Sequence, residues 1–388
     1  MTTTAAVYWD PYDVEIDTNP YETWRRMRDE APVYYNERFD FYALSRYADV
    51  EAAHRDPARL VSSHGIVLEQ MSPQRMETGQ MIMMDPPDHT RLRSMAARAF
   101  TPKRVASMEE DIRAICRELL DRMDPSAADL VQEYGALLPS MVISRLLGVP
   151  DEDRAWAKTT IDTIFHIEPD VGMVNDISLT AMIELHTYLT DLLAKRREHH
   201  AADMLSDLVR QDLTAKECAD FAVLLVAAGT ETVARLLGWA AVVLDQHADQ
   251  RAELAAQPGL VPQAIEELLR FEAPSPVQGR VADEAIALHG ATIPAGAKVL
   301  LLTGSAGRDE RKYPDADRFD IHRRFDHHVS FGFGIHFCLG AALARLEGRV
   351  AVEELVGRFP NWETDHGRAE RLHTSTVRGW SSVPARLA

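Results

Sequence analysis

Apolar residues recur along most of this chain at spacings of three and four, the mark of helices that bury one face. The first run opens at Asn19-Pro20, with proline in the first turn where its missing N–H costs nothing, and reaches about Asp29. Pro32-Val33-Tyr34-Tyr35 and Phe41-Tyr42-Ala43-Leu44 read as two short strands around a turn at Asn36 to Asp40, and Ser45 to His54 as a short helix. Val61 to Asp85 has no clean period. It holds Gly65, Gly79 and methionines at 71, 76, 81, 83 and 84, and by itself predicts a mobile surface loop. Asp85-Pro86-Pro87-Asp88 then introduces a helix through His89 and Arg93. Helical periods follow over Met108 to Met123, Ala128 to Leu147 (interrupted at Pro139), Asp151 to Phe165 and, after an irregular stretch from His166 to Asp176, Ile177 to His200.

The longest predicted helix runs from Thr214, a plausible N-cap with Glu217 three residues on, to about His247. Its centre, Leu224 to Val233, is apolar except around Gly229 and Glu231. An interior glycine costs about 1 kcal/mol against alanine, and a buried acid costs more unless paired. Two such departures side by side mark a functional site. Pro262 to Phe271 is another helix, with Glu267 and Arg270 on one face. An extended path from Ala273 to Arg280, short strands within Ile286 to Leu302 and a meander from Pro314 to Asp326 complete the pattern. It predicts a mainly α fold with small β-sheets (α+β). With no linker, low-complexity tract or repeat, residues 1–388 read as a single domain.

The meander leads to Phe331-Gly332-Phe333-Gly334-Ile335-His336-Phe337-Cys338-Leu339-Gly340, followed at once by the helix formers Ala341 to Glu347. Cys338 thus stands at the mouth of a helix, where N–H groups and the helix dipole favour a thiolate. The glycines let the backbone pass close to something flat and bulky. Taken alone, a single cysteine is more often a small buried hydrophobe. His336 and Cys338 could be two zinc ligands, but a structural zinc site needs four, and no second pair stands at suitable spacing.

Charge and cysteine usage narrow the class. A net charge of −18, with no basic arm, argues against nucleic acid as a partner. Three scattered cysteines form no disulfide framework. The first ten residues lack the pattern of a signal peptide. The longest apolar run, Phe221 to Leu244, is interrupted by Glu231 and Arg235, so no membrane span is expected. These features predict a soluble protein of a reducing cytoplasm.

The pattern Phe331-x-x-Gly334-x-x-x-Cys338-x-Gly340 resembles the haem-binding loop of the cytochrome P450 family. Three more segments resemble that family in the same order: Asp-Pro-Pro-x-His89-x-x-x-Arg93, Ala228-Gly229-x-Glu231-Thr232, and Glu267-x-x-Arg270. The resemblance implies a bacterial-type monooxygenase that inserts one oxygen atom of O2 into a C–H bond of a small hydrophobic substrate. Its cofactor would be haem b, with Cys338 as the axial iron ligand. His89, Arg93, Arg280 and His336 would hold the two haem carboxylates, and Phe331 and Gly340 would flank the cofactor. Ala228 and Gly229 would leave room for dioxygen. Glu231 and Thr232 would deliver protons.

The resemblance also implies a structural triad of Glu267, Arg270 and Arg318, and a substrate-facing role for the methionine-rich loop. Ile164, Phe165, Val174 and Val277 are candidate pocket linings, and a lipid, terpenoid, steroid or aromatic compound would fit. Gly307 stands where the family commonly has asparagine. No flavin or NAD fingerprint appears. Electrons would therefore come from a ferredoxin-type donor with its reductase, docking near Arg91, Lys103, Arg104, Arg345 and Arg349. A haem-thiolate ligand binder or sensor is the alternative, and a peroxide-driven oxygenase a third reading. Retention of both Glu231 and Thr232 argues against each.

Overall fold

The structure is a computed structural model that describes residues 6–165, 168 and 175–388. Val174 and most of the stretch from His166 to Asp176 lie outside the described residues.

The helix Ala215–Gln246 forms the axis of the molecule. At 1.5 Å per residue its 32 residues span about 48 Å. Thr214 caps it as the sequence predicts: its hydroxyl accepts from Glu217 N–H while the Glu217 carboxylate accepts from Thr214 N–H. Among the described residues it is the one helix long and apolar enough to cross a membrane, and 72% of its most apolar window is buried inside the protein. Around it pack Leu137–Leu147, Asp176–Glu198, Val261–Phe271 and the cysteine helix Ala341–Arg358. Two missing side chains permit the close approach. A Cβ on Gly229 would come within 2.8 Å of Ile143 Cδ1, and one on Gly348 within 3.0 Å of Leu236 Cδ2.

Beside the helices lies a five-stranded sheet ordered Val33–Asn36, Phe41–Leu44, Lys298–Leu301, Gln278–Ala282, Leu60–Val61. Phe41–Leu44 pairs in parallel with Lys298–Leu301, and the other neighbours are antiparallel. The hairpin Glu370–His373 and Arg378–Ser382 packs on the central helix.

Two readings of the sequence change. Ala128 to Leu147 is not one helix: a short strand Ala128–Asp129 and a wide turn at Val131–Gly135 precede Leu137–Leu147. The break falls before Pro139, which sits in the first helical turn where proline does no harm. The methionine-rich segment is not the surface loop its pattern predicts, since Met71, Met81 and Met83 are buried. It is tied to the sheet by Gly279 N–H donating to Ile66 O at 2.8 Å.

The predicted triad is also corrected. Glu267 and Arg270 form a fully buried bidentate pair, 2.7 Å at both contacts. The third member is Arg323, whose Nε donates to Glu267 Oε1 at 3.1 Å. Its other nitrogens donate to the carbonyls of Pro314, Asp315 and Arg318. Arg318 itself points outward, its side chain 69% exposed. Arg270 also donates to Gly307 O, and a Cβ on Gly307 would lie 2.3 Å from Arg270 O, so this chain has no room there for asparagine.

Breaking a buried ion pair costs about 3–5 kcal/mol, whereas exposed substitutions stay within about 0.5 kcal/mol. Arg323→Met is therefore expected to lower urea-unfolding stability by that larger amount and Arg318→Met to leave it unchanged. Equal losses in the two variants would restore the original assignment.

Candidate functional site

The cysteine loop owes its shape to two glycines in the left-handed region, Gly332 and Gly334, both at φ +67°. Gly334 also meets the end of helix Tyr47–His54, where a Cβ would lie 2.5 Å from His54 O. Cys338 N–H closes the loop on Phe331 O at 2.9 Å. Gly340 then starts the cysteine helix, with open space where its Cβ would be. Arg345 stacks over the Phe331 ring at 4.5 Å.

Cys338 opens into a cavity of about 350 Å3 between the central and cysteine helices. Burial pushes its thiol up, while the Gly340 N–H, Arg93 and Arg345 pull it down. The walls are mostly apolar: Ile66 and Val67 from the methionine-rich loop, Ile143, Phe221, Leu224 and Val277. Met81 lines it as well, in keeping with a substrate-facing loop. Of the other linings expected, Val277 is present, whereas Ile164 and Phe165 pack into the core.

One edge is different. His89, Arg93, Arg280 and His336 all face the cavity from three separate elements, and the His89 and His336 rings lie 4.3 Å apart. Neither His89 nitrogen has a partner. The Arg93 guanidinium donates to Phe337 O, Arg280 only to its neighbour Gly279 O, and His336 meets Ser62 Oγ at 3.3 Å. Asp85, whose charge Arg280 and His89 feel, accepts from the N–H groups of Ser62 and Ser63. Burial, with the nearby charge of Arg280, pushes His336 down to about 2, and burial pushes Arg280 down to about 10. His54, 4% exposed and with both ring nitrogens unpartnered, lies behind this edge and is pushed down to about 3.

These residues fit a haem. A thiol facing apolar walls suits the macrocycle and its iron, Gly340 leaves a cradle that a side chain would fill, and an edge of two arginines and two imidazoles with no ion pair among the described residues suits two carboxylates.

On the central helix, Ala228, Gly229 and Thr232 line the cavity, and the Thr232 hydroxyl donates to Ala228 O at 3.0 Å. Gly229 serves the packing of Ile143 as well as the space. Glu231 is not among the lining residues. It is 9% exposed and ion-paired to Arg235 one turn on, at 2.9 Å, while Arg235 also donates to Trp380 O. The interior acid that stands out in the sequence is thus compensated within its own helix.

Sequence reasoning missed His54, Ser62 and Glu347. The spacing of Glu347 from Leu343 and Ala344, both cavity-lining, was a readable signal for one shared face. Nothing in the sequence marked His54, whose burial depends on the sheet and loop around it. Four of the five basic docking candidates are already paired: Arg91 with Glu217, Arg104 with Asp207, Arg345 with Glu266, Arg349 with Glu109 and Glu353. Lys103 has no ion pair among the described residues.

An unpaired buried cation destabilises the protein without its cofactor. Arg280→Met is expected to raise the urea stability of the haem-free protein by roughly 1–3 kcal/mol and to speed haem loss to a haem-scavenging globin. A variant that is less stable without haem, or that holds haem as tightly, contradicts this account of the edge.

Comparison with known proteins agrees in fold and sequence. The family model described as Cytochrome P450 matches residues 34–385. The vitamin D(3) 25-hydroxylase of Pseudonocardia autotrophica is 38% identical over 406 residues, covering 100% of this chain and 98% of that protein. The structure of cytochrome P450 CYP109Q5 from Chondromyces apiculatus superposes with a TM-score of 0.90 at 33% identity, covering 98% of each chain. That of the bacillaene polyketide synthase cytochrome P450 PksS from Bacillus subtilis gives 0.89 at 32% identity, covering 98% of this chain and 100% of that one.

Proposed function

The chain belongs to the cytochrome P450 family, and from that premise we propose that it is a haem b monooxygenase that hydroxylates a C–H bond of an apolar small molecule. The observation that carries the reading is Cys338 opening into an apolar cavity rimmed by four cationic or imidazole groups that have no ion pair among the described residues. Cys338 would hold the iron, and His89, Arg93, Arg280 and His336 the haem carboxylates. When bound, the haem supplies dioxygen activation and oxygen insertion.

The chain's own part is placement, exclusion of water and proton delivery. Ile66, Val67 and Met81 close the cavity from the loop side and keep the substrate in apolar surroundings. Ala228 and Gly229 leave space beside the Thr232 hydroxyl. That hydroxyl is held by Ala228 O and presents its own oxygen to the cavity as an acceptor. Glu231 remains the acid beside it, and must leave Arg235 to reach the cavity.

The substrate class follows from the lining. Away from the cationic edge and Cys338 the polar side chains are Ser275, Gln278, Ser330, Thr376 and Thr232, with Glu347 as an acid. A largely hydrocarbon molecule with one or two polar groups fits. A terpenoid or steroid skeleton is the form we favour, in line with the vitamin D(3) hydroxylase relative. Electrons would come from a ferredoxin-type protein on the cysteine side. There Lys103 is free of ion pairs among the described residues and Phe337 is 38% exposed, while the paired arginines could contribute only by exchanging partners. We further read the chain as one domain working in the cytoplasm.

The first test is the spectrum of the reduced, carbon monoxide-bound protein. A strongly red-shifted Soret band is expected, and its loss in Cys338→Ser. A band at the histidine-ligated position in the wild type would refute thiolate ligation. With substrate and donor, Thr232→Ala is expected to cut product per electron several-fold while leaving substrate binding near normal. Unchanged coupling would remove Thr232 from proton delivery.

A further inference from the structure

The hairpin Glu370–His373 and Arg378–Ser382 reaches two places in the molecule. Thr376, between its strands, lines the Cys338 cavity. Arg371 and Trp380, at its base, line a second cleft of about 590 Å3 that shares no residue with that cavity. Trp239 of the central helix forms part of the cleft wall. It stands two turns beyond Thr232, about 10 Å along the helix axis.

A bulge in the hairpin sets up this cleft. The register slips between Glu370 and Arg371, so that Arg371 stands directly across from Trp380. Cross-strand partners share one face of the ribbon. The Arg371 guanidinium accordingly stacks on the Trp380 ring at 3.8 Å and on the Trp239 ring at 4.6 Å. The two indoles meet edge to face, 5.7 Å apart. Stacking of this kind holds a guanidinium plane in one orientation.

Nothing described in the fold balances that charge. Arg371 makes no side-chain hydrogen bond or ion pair among the described residues, and its Nη1 is buried without a partner. The acids nearby are taken. Glu272 is shared by Arg308 at 2.8 Å and Arg378 at 2.7 Å. Asp317 pairs with Arg308 at 3.1 Å, and Asp17 with His373 at 3.0 Å. Burial, with the neighbouring charge of Arg378, pushes Arg371 down to about 10, so it stays charged at neutral pH. Acids are not scarce in this chain, which has 60 Asp and Glu against 42 Lys and Arg. The lone guanidinium therefore reflects where the hairpin is placed, not composition.

We propose that this cleft is a binding site for a small aromatic carboxylic acid, with Arg371 as its anchor. The charge count selects a monoanion. Phosphate carries up to about two charges at neutral pH and would crowd Glu272 and Asp317, whereas one carboxylate matches one uncompensated guanidinium. The planar edge of an arginine meets a carboxylate with two parallel hydrogen bonds. The rings of Tyr21, Phe271 and Trp380 on the cleft wall give an aromatic body apolar surface to pack on. Because the cleft lies outside the Cys338 cavity, the proposal stands apart from the monooxygenase reading.

The test is equilibrium dialysis of the haem-loaded protein against labelled benzoate, with benzamide and inorganic phosphate as competitors. Saturable benzoate binding is expected, with a Kd of about 1 mM or tighter. Benzamide and phosphate should bind roughly tenfold more weakly, and Arg371→Met should weaken benzoate by roughly tenfold or more. Location is read without any variant: in crystals of the wild type soaked with 4-bromobenzoate, anomalous scattering should place the bromine in the cleft. A wild type that binds no benzoate at about 10 mM, well above the expected Kd, overturns the proposal. So does a bromine found only elsewhere, or an Arg371→Met protein that binds benzoate as tightly. Benzamide binding as well as benzoate would remove the charge anchor, and phosphate binding more tightly would refute the carboxylate class.

Discussion

An edge of His89 and Arg280, buried, and Arg93 and His336, partly buried, is the constraint on which this structure turns. Each group loses hydration there, and none gains an ion pair among the described residues in return. The fold nevertheless holds all four in place. Arg280 stands on a strand of the five-stranded sheet, His89 and Arg93 sit one turn apart on a helix, and His336 lies within the cysteine loop. An anionic cofactor held there would relieve this opposition, and its binding energy would become folding energy. On the proposed reading, the stability of this protein and its loading with haem are one equilibrium.

The central helix solves the complementary problem of bringing apolar surfaces together while leaving a hole. Gly229 and Gly348 let two neighbouring helices close to within side-chain contact on either side of the cavity. Every carbon added at those points would have to move Ile143 or Leu236. The polar groups that interrupt the apolar packing are handled in different ways. Glu231 is neutralised by Arg235, Thr232 by the carbonyl one turn back, and Glu347 by keeping its proton. Only the last two line the cavity.

The Glu267–Arg270–Arg323 cluster shows how a local pattern can point to the right structure and the wrong residue. Glu267 and Arg270 share a helix face three residues apart, a relation the sequence carries in full. The third arginine comes from a meander without periodicity, where nothing in the sequence separates Arg318 from Arg323. The turn from Pro314 to Arg323 decides it, by aiming one guanidinium at three backbone carbonyls and leaving the other in water. What the sequence leaves open about the basic docking residues has a similar cause. An arginine looks free in a sequence until the fold sets Glu217, Asp207 or Glu266 beside it.

By itself the sequence determined the helices that have a strong period and a cap, the cysteine at a helix mouth, and the four motifs that carry the family. Each is a relation between residues a few positions apart, fixed by backbone geometry. The tertiary structure decided which buried charges are paired, which face the cavity, and which methionines are core. Those properties depend on groups brought together from distant parts of the chain. His54 beside the cysteine loop, and Glu347 on the cavity wall, become visible only when the helices and the sheet are packed, because burial and partnership are properties of the assembled fold.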